Sequence, residues 1–103
     1  MTKKQHKYRE FKDYLLEKLK DPQRALEYLN AAFDDEDERV FLLALKNVLQ
    51  AQGGDITAVA EEAKLSRQSL YKILSKKGNP KLNSLRSILH AIGYDLAIQP
   101  FKK

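Results

Sequence analysis

Cysteine is absent from the 103 residues, which excludes a disulfide framework, a thiolate zinc site and a cysteine nucleophile. Thiol redox chemistry goes with it. No run of about 18 apolar residues exists to span a bilayer, and the opening MTKKQHKYREFKDYLL is basic without the apolar stretch of a signal peptide. A cytoplasmic location without a membrane partner is therefore expected. Catalytic signatures are missing too: there is no GxSxG, no P-loop, no HExxH and no metal-spaced set of His or carboxylates. His6 and His90 stand alone, and the acidic run Asp34 to Glu38 lacks the glycine and ligand rhythm of an EF-hand loop. The expectation is a protein that is not an enzyme, with no catalytic residues, no metal site and no cofactor.

What is present is one small domain's worth of chain, 43% hydrophobic and 32% charged, a balance that folds rather than stays disordered. Charge is segregated along it. Residues 1 to 20 carry a net +4, residues 21 to 62 a net −7 and residues 63 to 103 a net +8, with no acid at all between Ala63 and Tyr94. The last block suits a polyanion. The acidic middle reads either as solvated helix faces and caps or as a surface for a basic partner.

Four glycines and three prolines divide the sequence into pieces of helical length. Phe11, Tyr14, Leu15 and Leu19 predict an amphipathic helix over Tyr8 to Lys20, behind a frayed arm of about nine residues. Asp21 followed by Pro22 reads as a cap with proline at the first helical position, opening a helix with the stripe Ala25, Leu26, Leu29, Ala32 and Phe33. From Glu38 to Gln52 apolar residues lie on more than one face (Phe41, Leu45 and Val48, then Val40, Leu43 and Ala44), which predicts a bridging helix packed on two sides. Ile56 to Ala63, Ser66 to Ser75 and Leu82 to Ile92 follow as helices. Gly93 is a natural stop, and alternation of Tyr94, Leu96 and Ile98 with Asp95, Ala97 and Gln99 predicts a short half-buried strand. The organisation expected is a basic arm and helix over 1–20 and a single helical domain over 21–103.

Within that domain the stretch ITAVAEEAKLSRQSLYKIL, from Ile56 to Leu74, has the apolar spacing of a helix-turn-helix over 56–75. Two short helices crossing steeply need a small residue at the crossing (Ala60), an apolar plug in the turn (Leu65) and anchors on the second helix (Leu70 and Ile73). Ser66 is placed as that helix's N-cap. Its outward side chains are then Arg67, Gln68, Ser69, Tyr71 and Lys72, with Lys76, Lys77 and Asn79 beyond. Arg and Gln match guanine and adenine edges in the major groove, Lys and Ser suit phosphate, and Tyr71 serves as a sugar-phosphate or thymine-methyl contact or as packing. Lys64 falls where such turns favour glycine, so a left-handed backbone there carries strain.

These residues carry a resemblance. From roughly Asp21 to Pro100 the chain resembles the addiction-module antidote (antitoxin) proteins with an Xre-type, lambda-repressor-like helix-turn-helix. The matching pieces are ALEYLNAAF, VFLLALKNVLQAQGG, LSRQSLYKILSKKGNPKLNSL and ILHAIGYDLAIQP, of which LSRQSLYKILSKKGNP is the most specific. The resemblance implies an all-α, lambda-repressor-like bundle with N-terminal helices and the short C-terminal strand. It also implies a type II antitoxin that neutralises a toxin, usually an mRNA endonuclease, and represses its own operon by binding operator DNA. The alternatives are a stand-alone helix-turn-helix regulator, or a toxin-masking module without DNA binding. On charge, toxin contact is expected at the N-terminal helices and the acidic corner Asp34, Asp35, Glu36 and Asp37. One motif helix covers only a half-site, so a homodimer is expected, with Tyr94, Leu96 and Ile98 in its interface.

Overall fold

The computed structural model describes residues 3–53, 55–75 and 77–101, and all regular structure among them is helical. Local chemistry sets the boundaries. α1 runs over Lys3–Lys18, so its first turns lie within the stretch expected to fray. Asp21 caps the next helix by accepting a hydrogen bond from the Gln23 N–H, with Pro22 in the first position, and α2 spans Pro22–Phe33. Asp37 does the same for Arg39 and opens α3, Glu38–Val48. α3 passes without a break into a π-helical turn over Leu49–Gly53. Asp55 caps α4, Ile56–Glu62, through the Thr57 N–H, and Ser66 caps α5, Arg67–Ile73. α6, Leu82–Ala91, starts at Lys81 with no side-chain cap.

Each helix turns one stripe inward. Leu19, Ala25, Leu29, Phe41, Leu45, Val48, Leu49, Val59, Ala60, Leu70, Leu74, Ile88 and Leu89 form one continuous core. α2 packs on α3, while the π turn touches α1 and α4, and α4 in turn packs on α5 and α6. α3 with its π turn is thus the bridge that its apolar pattern predicts. The two faces are unequal, however, since Val40 and Leu43 on the outer side stay exposed. The α2–α3 pair is pinned by the buried Asn47, whose side-chain amide donates to the Tyr28 hydroxyl at 3.0 Å.

The C-terminal segment corrects the sequence reading. No strand exists among the described residues, and Tyr94 to Gln99 carries no regular secondary structure. The alternation is real, for Tyr94 and Leu96 pack against the core, but no neighbouring extended segment offers a backbone ladder. Instead α6 ends in a Schellman turn. Gly93 takes φ +89°, its N–H bonds to the His90 carbonyl, and the Tyr94 N–H reaches back to Leu89 at 2.8 Å. The Leu96 N–H then bonds to the Asp95 carboxylate, which itself lies 2.8 Å from His90 Nε2 and 3.6 Å from Arg86 Nε. Side-chain anchoring to α6 replaces sheet pairing.

Candidate nucleic-acid interface

The turn between α4 and α5 decides how α5 is presented. It repeats the Schellman geometry: the Lys64 N–H bonds to Glu61 at 3.1 Å, the Leu65 N–H to Ala60 at 2.9 Å, and Lys64 sits at φ 59°, the left-handed region normally left to glycine. Leu65 is thereby swung inward against the core as a plug. Ala60 is buried where the helices cross, and Leu70 is fully buried beneath α5. These are the positions that the spacing of the segment singles out.

On the outer face, Arg67, Gln68, Ser69, Tyr71 and Lys72 are all exposed. Two of them are less free than their sequence suggests. The Ser69 N–H donates to Ser66 Oγ at 3.0 Å and the two hydroxyls lie 2.8 Å apart, so both serines are engaged in the cap. The Arg67 guanidinium sits over the Tyr71 ring, 5.6 Å from its centre, a cation–π arrangement that limits the swing of a long side chain. A side-chain hydrogen bond to Tyr71, followed by its Coulombic attraction, holds Arg67 above its ordinary pKa. Gln68 and Lys72 project without such restraint.

Lys77 and Asn79 follow in an exposed loop, while Lys76 lies outside the described residues. The loop is held tightly to α5: Gly78 donates to the Ser75 carbonyl, and any Cβ at Gly78 would overlap the Ile73 carbonyl. Glycine is required here for close approach.

The acidic corner divides into two kinds of residue. Asp37 caps α3 and grips Arg39 through both of its oxygens, at 3.1 and 2.9 Å, and the Arg39 hydrogen bond holds its carboxyl below the usual range. Asp35 accepts from the Asp37 N–H. Capping therefore accounts for these two, while Asp34 and Glu36 face solvent. Of the three expected interface residues, Tyr94 and Leu96 are half-buried against their own core and Ile98 is fully exposed.

Sequence reasoning missed one keystone. Gln52, in the π turn, donates to the Leu19 carbonyl at 2.9 Å and lies 3.2 Å from the Tyr94 hydroxyl, which donates to the Pro22 carbonyl at 3.1 Å. The α1–α2 junction and the C-terminal segment are joined through this pair. A signal existed, since Gln52 is seven residues after Leu45 and continues the buried stripe with a polar side chain.

Among the described residues no group of His or carboxylates could hold a metal, and no helix is long and apolar enough to cross a membrane. A family model described as "Probable addiction module antidote protein" matches residues 9–100, a span that takes in most of α1 as well as the stretch where the sequence resemblance was found. An uncharacterized protein of Haemophilus influenzae (strain ATCC 51907 / DSM 11121 / KW20 / Rd) is 29% identical over 72 residues, covering 70% of this chain and 72% of the relative. No solved structure matches.

Proposed function

The chain belongs to the family of probable addiction module antidote proteins, and from that premise we propose that it neutralises a cognate toxin, an mRNA endonuclease, and represses its own operon by placing α5 in the major groove of operator DNA. The observation that carries the DNA reading is the α5 face itself. It has a capped N-terminus, a buried anchor at Leu70, and Arg67, Gln68 and Lys72 exposed on a stretch free of acid from Ala63 to Tyr94. Arg67, steadied over Tyr71, reads a base edge; Lys77 and Asn79 meet phosphates. The protein acts as a two-fold dimer because one recognition helix spans only a half-site. Asp34 and Glu36 contribute the charge that draws a basic toxin. It works as a binding protein, without catalysis or cofactor, in the cytoplasm.

Gel shifts on the chain's own upstream DNA test this. Arg67→Ala costs about 1 to 3 kcal/mol and relaxes preference at one base pair, whereas Lys77→Ala weakens all sequences alike and lowers the salt slope by about one. Parental binding by both variants rules out the α5 assignment. For the toxin, co-purification with the product of an adjacent reading frame is the measurement, and Asp34→Asn with Glu36→Asn slows its association at low salt.

A further inference from the structure

α1 is longer than the surface it covers. Tyr8, Phe11, Leu15 and Leu19 fall at i, i+3, i+7 and i+11, one continuous stripe. Its C-terminal end is used, with Leu15 packed against the core and Leu19, just past the helix, buried. The stripe before Leu15 is not: Tyr8 is 66% exposed, Phe11 64% and the neighbouring Tyr14, with Lys18 over its ring, 59%. Two helical turns of aromatic surface are thus exposed, flanked by Lys7, Arg9 and Lys12 and by Glu10 and Asp13.

Elsewhere the same chain has an unfilled apolar groove. It lies between α2 and the C-terminal segment, with a cavity of about 600 Å³ lined by Leu26, Phe33, Phe41, Leu96 and Ile98 and carrying Asp34 and Asp95. The Phe33 ring stands edge-on against Phe41 at 4.8 Å and remains half exposed. Asp95 is already matched by His90 and Arg86, but Asp34 opens the acidic run 34–38, so the field at this end of the groove is negative.

We propose that the exposed stripe of α1 in one copy docks into the groove between α2 and the C-terminal segment of a second copy, with the reciprocal contact closing a two-fold dimer. The inference rests on the dimer in the reading above and supplies its surface. Charge favours it modestly, since the turns that carry the stripe hold Lys7, Arg9 and Lys12 against Glu10 and Asp13, a net +1, and the groove end carries Asp34. Area favours it as well. Six large side chains, three on each surface and each giving up roughly 100 Å², exchanged twice, bury on the order of 1,200 Å², the lower bound for stable specific interfaces. Helix-in-groove recognition uses this same spacing of anchors.

Light scattering on the full chain tests it. The parent has the mass of a dimer. Tyr8→Ala with Phe11→Ala gives a monomer, and so does Ile98→Asp; all three side chains are exposed, so far-UV circular dichroism stays parental. Mixing the two variants restores one of the two contacts, and dimers reappear at raised concentration. A monomeric parent, or variants that stay dimeric with parental helix content, overturns the proposal. Gel shifts on the same samples are scored separately, for they report on α5 and leave the mass result standing.

Discussion

Lys64→Gly stabilises this protein, and the size of the gain follows from one torsion angle. Lys64 occupies the left-handed region at φ 59°, where a Cβ costs roughly 1–2 kcal/mol against the following carbonyl. Glycine removes that cost but enlarges the unfolded ensemble, which returns about 0.4–1 kcal/mol. The net gain is about 0.5–1 kcal/mol, and the two turn hydrogen bonds, Lys64 N–H to Glu61 and Leu65 N–H to Ala60, are kept because glycine donates the same N–H. In a chain of this size that raises Tm by roughly 2–8 °C. Losing a positive charge from the crowded basic stretch also relieves repulsion, so Lys64→Ala is the control: it removes the same charge but retains the Cβ. Urea unfolding followed by circular dichroism should move the midpoint of the glycine variant upward with an unchanged slope, and leave the alanine variant behind it. Equal gains in both variants would assign the effect to charge; a less stable glycine variant would refute the strain argument outright.

Three further outcomes are expected. Gly78→Ala forces a Cβ into the Ile73 carbonyl and costs about 1–3 kcal/mol as an overpacked contact, and on the proposed α5 reading it also weakens DNA binding by shifting Lys77 and Asn79; thermal melts and gel shifts check the two effects. Tyr94→Phe removes the hydroxyl that donates to the Pro22 carbonyl and lies beside Gln52, at a cost of about 0.5–1.5 kcal/mol, with increased hydrogen exchange at the α1–α2 junction as the local readout. The Asp95 carboxyl is held below its ordinary pKa, first by the His90 hydrogen bond and then by the Leu96 N–H. A lowered folded pKa makes its contribution present above the unfolded value of about 3.9 and lost as pH falls through the folded one. Acid titration of the parent against Asp95→Asn should therefore converge at low pH and diverge above it.

The capped helix starts are local in cause: Asp21, Asp37, Asp55 and Ser66 each accept a hydrogen bond from an N–H two or three residues on, and such a bond depends on nothing far away. Asp21 and Ser66 are read as caps from the sequence; Asp37 and Asp55 are not. The α4–α5 pair was legible for a related reason: small Ala60, plug Leu65 and anchor Leu70 sit within eleven residues, and the departure at Lys64 marked the residue that carries the positive φ. Proximity in sequence sufficed. The C-terminal segment failed because period-two alternation reports only which side chains turn inward. Tyr94 and Leu96 do turn inward, yet whether an extended segment becomes a strand depends on a second extended segment that residue patterning cannot place. Gln52 was overlooked on similar grounds. Its two partners, Leu19 and Tyr94, are 33 and 42 residues distant, and only the fold brings them to one point.

The same distinction separates the two candidate surfaces. The α5 face could be written down from its own sequence, since a cap, anchors and outward polar side chains share the eight residues from Ser66 to Ile73. The groove draws Leu26 and Phe33 from α2, Phe41 from α3 and Leu96 and Ile98 from the C-terminal segment, so no single stretch announces it. What the sequence did carry was the sign of its charge: a net −7 over residues 21 to 62 between a net +4 and a net +8. Charge of opposite sign on successive segments of one chain can be satisfied within a copy or between copies. Within the copy, Leu15 and Leu19 pack on the core while Tyr8 and Phe11 stay uncovered, and it is this uncovered pair that the proposed exchange between copies would use.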